Sequence, residues 1–226
     1  MAYRPKKAKA HQSYHNAAGK RLPGVTTIVG QRDKGGLISW VIRLIKEGYD
    51  YYAYMDDVSA VGTCGHELIS ALLEDRPPEV RDFTKAQIDT ATVCLDAFSS
   101  WVEGQDLKLI WTERQMVSEE LQVGGTPDIF CKLNGYNTLL DIKTSDSGLK
   151  LDNFVQVAAY ALMIEENGED IEQIGVVRCG KDGSPAEVML LDWEGAASLK
   201  LVQFFMQLRR QYTDVYDLKK LLDVKY

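Results

Sequence analysis

Hydrophobic and polar positions along the chain follow two periods in turn. Over residues 37–54 and 58–74 apolar side chains recur at helical spacing, the second stretch with Val61, Leu68, Ile69 and Leu72 on one face. The Asp, Arg and Pro residues at 75–78 stop that helix. A third helix is predicted over 84–103, with Thr84 as its N-cap and Ile88, Ala91, Leu95, Phe98 and Val102 as its buried stripe. From Leu107 onward the period shortens to that of strands, over 107–117, 121–133 and 137–143. Asn134 and Gly135 separate the last two runs, and such a pair favours a two-residue type I′ turn because both central positions need positive φ. Residues 152–166 are almost wholly apolar and predict a buried helix starting near Asp152 or Asn153. Strands at 171–178 and 186–191 flank a turn at 180–185, and 193–212 reads as a long amphipathic helix. Together these elements predict an α/β (α+β) domain over 25–226, preceded by a polar arm over 1–24 that shows neither period and is ordered only by contact.

Composition narrows the class. With 226 residues, 45% of them hydrophobic, the chain can bury enough surface to offset its conformational entropy, which excludes general disorder. No apolar run approaches the roughly 20 residues that span a bilayer, and no apolar segment follows the basic start, so a cytoplasmic protein with no membrane partner is expected. The net charge of −7 is unevenly spread: residues 1–46 carry ten Lys and Arg against Asp33 alone, leaving the rest at −16. A basic segment joined to an acidic body points to a polyanion partner, although a solvated tail has the same composition. Cys64, Cys94, Cys131 and Cys179 form no CxxC pair and read as reduced, mostly buried thiols.

The turn at Asn134 and Gly135 also places chemistry. It sets Leu133 opposite Tyr136 and, further along the ladder, Asp128 opposite Asp141, with Lys143 on the same face as Asp141. Like charges opposed in a sheet repel, so the pair calls for a compensating cation, and hard oxygen donors favour Mg²⁺ or Mn²⁺. Each segment alone has a plainer explanation, since an Asp beside Pro is often a turn residue and Asp-x-Lys triplets are common on exposed strands. Gln156 and Tyr160, four apart on an otherwise apolar helix, are two polar groups on one side of a buried element and need partners. Gly62 and His66 have the same spacing on the second helix, where glycine removes bulk beside the imidazole; a lone helical histidine is more often structural and becomes a ligand candidate only in this company.

In order, Gly62, Thr63 and His66, then Gly125, Thr126, Pro127 and Asp128, then Asp141, Ile142 and Lys143, then Gln156 and Tyr160 resemble the motifs of the PD-(D/E)XK nucleases, specifically the RecB-like exonuclease branch. The resemblance spans about residues 58–180. Residues 22–28 and 35–40 are similar to the opening segment of phage-encoded members, and the mitochondrial genome maintenance exonucleases are more distant look-alikes. Each motif alone is weak; four in sequence are specific.

The resemblance implies a restriction-endonuclease-like core with a mixed central sheet flanked by helices. It implies that Asp128, Asp141, the main-chain carbonyl of Ile142 and His66 hold Mg²⁺ or Mn²⁺. Lys143 would orient and help activate the attacking water, Gln156 would hold the catalytic strand or a phosphate, and Tyr160 would pack or bond beside it. Glu113 precedes the aspartate motif at a place where relatives often carry an acid. The four-cysteine iron–sulfur cluster of some relatives is not expected, because the cysteines near the carboxyl terminus that it requires are missing. The implied activity is a DNA exonuclease leaving 5′-phosphate products, in phage or host recombination, repair or replication. Its partners would be DNA, single-stranded or with a free end, and a recombination or helicase protein, since no ATP-binding P-loop occurs in the chain. Trp40, Tyr49, Tyr51, Tyr52 and Tyr54 could stack on bases or fill a core. A structure-specific endonuclease of the same fold and a catalytically silent DNA-binding subunit are the alternatives.

Overall fold

The structure, a computed structural model, describes residues 13–32 and 36–224. Two short antiparallel strands, β1 (Tyr14–His15) and β2 (Arg21–Leu22), lead into a short helix α1 (Val25–Val29). The helix expected over 37–54 is divided between α2 (Leu37–Lys46) and the start of α3 (Tyr51–Leu73). Gly48 between them has φ 87°, which favours glycine, and Asp50 caps α3 by accepting a hydrogen bond from the Ala53 N–H at 2.9 Å. Local turn and cap chemistry overrides the continuous apolar period there. Helix α4 (Lys85–Val102) starts as expected, with Thr84 and Gln87 exchanging side-chain and backbone bonds in a capping box.

Strands β3 (Leu107–Thr112), β4 (Met116–Ser118), β5 (Val123–Gly125), β6 (Ile129–Leu133) and β7 (Tyr136–Lys143) follow. The single strand expected over 121–133 is thus two, because Pro127, lacking an N–H, cannot continue a ladder. β5 pairs with β4 in a separate sheet, and β6 pairs with β3 and β7. Helix α5 (Leu151–Glu166) connects β7 to β8 (Gln173–Arg178), β9 (Glu187–Asp192) comes next, and α6 (Ala196–Leu222) runs well past the predicted end at 212. The main sheet has the order β3-β6-β7-β8-β9, in which only β7 and β8 are parallel. It is the mixed central sheet flanked by helices that the motifs implied.

Alternation along the strands assigns the two faces. Phe130, Leu139, Ile174 and Val176 pack with α1, α5 and α6, whereas Ile129, Cys131, Leu133, Leu140, Ile142 and Val177 pack with α3 and α4. Helix α5 is buried along most of its length, as its composition foretold. Phe98 on α4 and Phe205 on α6 are fully buried, one on each side; truncating either to Ala would cost about 3–5 kcal/mol. All four cysteines are buried free thiols, and burial pushes Cys131 and Cys179 up to about 12. Among the described residues no helix is long and apolar enough to cross a membrane.

The basic arm expected over 1–24 falls partly outside the described residues, with Arg4, Lys6, Lys7 and Lys9. Its second half is folded: β1 and β2 form a hairpin seated on β5. The Gly124 N–H donates to Pro23 O at 3.0 Å, and Asn16 Nδ2 donates to Gln122 at 3.0 Å. The aromatic residues of α2 and α3 pack edge-to-face on one another, Trp40 against Tyr51 and Tyr54 at 6.3 and 6.0 Å, while Tyr49 and Tyr52 stay exposed.

Candidate active site

The Asn134–Gly135 turn forms as its chemistry dictates, with φ of 51° and 97°. It fixes the expected register, from Leu133↔Tyr136 to Ile129↔Leu140. The next step would pair Asp128 with Asp141, and there the ladder stops because Asp128 lies just outside β6. The side chain takes over from the backbone: Asp128 Oδ2 accepts the Ile142 N–H at 2.7 Å, supplying the partner that a longer β6 would have offered. Glu113, just after β3 at φ 43°, donates its N–H to the Asp128 carbonyl at 2.8 Å and so fixes Asp128 from the other side.

Asp141 and Lys143 alternate with Leu140 and Ile142, so they point to the face covered by α5, where Gln156 and Tyr160 meet them. Gln156 Nε2 donates to Asp141 Oδ1 at 3.1 Å, and its Oε1 accepts from Lys143 Nζ at 3.3 Å. Only this amide orientation satisfies both the acid and the ammonium, so Gln156 holds the two in a fixed relation. Its Nε2 also lies 3.3 Å from the Tyr160 hydroxyl. Lys143 Nζ is 2.7 Å from Asp141 Oδ2, yet that buried oxygen receives no hydrogen bond of acceptable angle. His66, from α3, brings Nδ1 to 3.4 Å from Asp128 Oδ1 and 3.9 Å from Glu113.

Asp128, Asp141, Ile142, Lys143, Gln156, Tyr160, His66 and Glu113 therefore lie around one point. Sequence reasoning misplaced Gly62: a Cβ there would come within 3.3 Å of Thr144 Oγ1, and one on Gly65, which it did not single out, within 2.9 Å of Thr144 Cγ2. They admit Thr144, next to Lys143, rather than clearing space for the imidazole. Two functions of the Gly124–Gly125 pair also escaped it. A Cβ on Gly125 would fall 2.3 Å from Tyr160 Cε1, and one on Gly124 would fall 2.0 Å from Tyr14 Cγ. Tyr14, whose hydroxyl bonds Thr126 Oγ1 at 3.1 Å, thereby joins the surroundings of the site. The adjacent glycines were the available signal, since glycine in a strand marks close approach by another group.

The two carboxyls are driven apart electrostatically. Burial, with Asp141 only 1% exposed, pushes its carboxyl up to about 6; Lys143 opposes this and the charge of Asp128 adds to it. Burial would raise Asp128 too, but His66, Lys143 and the Ile142 N–H outweigh it and hold that group below the ordinary carboxylate range. For His66 burial acts downward, and the Asp128 carboxylate more than offsets it, lifting the imidazole to about 9. Lys143 is likewise raised, burial being outweighed by Asp141 and Asp128. At neutral pH the cluster thus holds two carboxylates against two side-chain cations.

Among the described residues no three His, Cys, Asp or Glu side chains stand ready as a metal cage. The donor chemistry nevertheless fits a hard divalent cation. Asp141 Oδ2 is buried with the Lys143 ammonium at 2.7 Å as its neighbour of opposite charge, and Asp128 Oδ1 faces a protonated His66 whose proton a cation can replace.

No protein-family model and no curated protein matches the chain. Solved structures overlap it in part. A putative exonuclease from Eubacterium rectale aligns at 12% identity over 73% of this chain and 69% of that one, with a TM-score of 0.47. The alkaline exonuclease LHK-Exo from Laribacter hongkongensis aligns at 13% identity over 71% and 84%, TM-score 0.33. LHK-Exo in complex with dAMP aligns at 12% identity over 74% and 91%, TM-score 0.35. At such scores the site has to be read from its own geometry.

Proposed function

We propose that this chain is a Mg²⁺- or Mn²⁺-dependent deoxyribonuclease that hydrolyses phosphodiester bonds from a DNA end and leaves 5′-phosphates. The observation that carries this reading is Asp128, just before β6, held to β7 by the Ile142 N–H beside Asp141, with Lys143 against the buried Asp141 oxygen and Gln156 bridging acid and lysine. Asp128, Asp141 and the Ile142 carbonyl would hold the cation, joined by His66 once it has lost its proton. When bound, the cation supplies a Lewis acid for the phosphate and lowers the pKa of water.

The chain's own residues do the rest. Lys143 places a fixed positive charge where negative charge develops on the phosphate oxygens, and Gln156 prevents the ammonium from swinging away. Asp128 keeps the end of β6 in register with Ile142, so the two carboxylates keep their separation. Tyr160 closes the α5 side against Gly125 and excludes water there. Such a protein would work in phage or host DNA recombination, repair or replication, in the bacterial cytoplasm, beside a partner that unwinds the duplex.

Digestion of end-labelled linear and closed circular DNA, single- and double-stranded, with Mg²⁺, Mn²⁺ or chelator tests the reading. The expected result is metal-dependent loss of linear DNA with closed circles spared, abolished in Asp141→Asn. Cleavage of closed circles would make the protein an endonuclease, and undiminished cleavage by Asp141→Asn would remove the site altogether.

A further inference from the structure

A cleft of about 700 Å³ opens between the β1–β2 hairpin and the second half of α6. Its lining is basic: Lys20 and Arg21 of the basic amino-terminal segment meet Arg209 of α6, against one acid, Asp217. Arg209 is fixed there by donating to Leu121 O at 2.8 Å, with its guanidinium over the Tyr212 ring at 6.0 Å. Lys20 and Arg21 are exposed and, among the described residues, make no ion pair. Tyr212 and Tyr216 stand four apart on α6, and Tyr216 is 64% exposed. An exposed ring beside Lys20 and Arg21, in place of a closed apolar pocket, suits flat bases on a charged backbone.

The cleft adjoins the segment that leads to Asp128. Tyr14 lines it and bonds Thr126, two residues before Asp128, while Gly24 bridges to Gly124 on the same segment. We propose that this cleft seats the single-stranded segment of polynucleotide next to the bond to be cut, with Lys20 and Arg21 on its phosphates and Tyr216 on a base. This rests on the nuclease reading for the bond itself, while the seat is a property of the cleft. It assigns the hairpin a place in substrate binding.

The test is fluorescence anisotropy of the whole chain with labelled oligothymidylate in chelator, across a range of salt. Lys20→Ala/Arg21→Ala should weaken binding and flatten the slope of log K against log salt by about 1.4, two contacts at about 0.7 each. Tyr216→Ala should weaken binding roughly tenfold with the slope unchanged. Lys85→Ala/Lys108→Ala removes as much charge from exposed sites outside the cleft and should leave the slope alone. A wild-type slope in the cleft double variant, or equal flattening in both doubles, overturns the proposal. Failure of the nuclease reading looks different. Strand binding that depends on Lys20 and Arg21 without any Asp141-dependent cleavage keeps the cleft and removes the chemistry; normal cleavage with unchanged binding in every variant does the reverse.

Discussion

Replacing Asp141 by Asn should abolish cleavage and, in the absence of divalent metal, make the protein more stable. The carboxyl has its pKa raised from 3.8 to about 6, chiefly by burial, which corresponds to about 3 kcal/mol at about 1.4 kcal/mol per pH unit. The sign follows from linkage. A group whose folded pKa is raised contributes stability that is complete below its unfolded pKa, here 3.8, and is lost as pH rises through about 6. At pH 8 the ionised Asp141 is therefore a burden on the fold that a neutral isostere does not carry. Asn has one acceptor oxygen where Asp141 uses one for Gln156 and turns the other to Lys143, so about 1 kcal/mol returns as a weakened contact. The net expectation is a gain of about 2 kcal/mol at pH 8, or roughly 4–8 °C in Tm for a chain of this length. Near pH 4 the gain should vanish, because the wild-type carboxyl is then protonated. Thermal and urea denaturation of both proteins in chelator at pH 4, 6 and 8 measure this directly, and adding Mn²⁺ should restore the wild type alone. An Asp141→Asn protein less stable than wild type at pH 8, or a difference independent of pH, would refute the account of Asp141 as a buried carboxylate awaiting a cation.

Lys143→Ala should lower turnover by orders of magnitude while changing Mn²⁺ affinity little, since its charge acts mainly where the transition state develops its own; metal titration beside single-turnover rates separates the two effects. His66, raised to about 9, contributes stability that is complete below about 6.5 and lost as pH rises through about 9. Because a ligating imidazole must shed that proton, Mn²⁺ affinity should climb from pH 7 to 9, and calorimetry in buffers of different ionisation enthalpy should find proton release that His66→Gln abolishes. Gly124→Ala puts a Cβ 2.0 Å from Tyr14 Cγ and should destabilise by about 1–3 kcal/mol, with proteolysis opening the β1–β2 hairpin; Tyr14→Ala in the same chain should recover most of the loss, and additive losses would contradict the packing.

Local chemistry in the sequence determined more of the site than of the fold's outline. Asn134 and Gly135 set the turn because few residue pairs tolerate two positive φ angles, and a turn of fixed length sets the register. From that register Asp141 and Lys143 follow onto one face, whereas Asp128 lies one residue beyond the ladder and is tied to β7 by its own side chain. Thr84 with Gln87, and the apolar run of α5, were legible for the same reason: capping and burial act within a few residues of the chain. What spacing does not encode is where separate segments meet. Tertiary packing brought Gln156 between Asp141 and Lys143, turned His66 toward Asp128, and laid the residue 13–24 hairpin over Gly124, contacts that span from 13 to more than 100 residues of chain. The break at Gly48 lay in view but lost to the stronger apolar period on either side. The raised pKa of Asp141 belongs wholly to the folded state, since it comes from desolvation between β7 and α5, which no linear pattern carries.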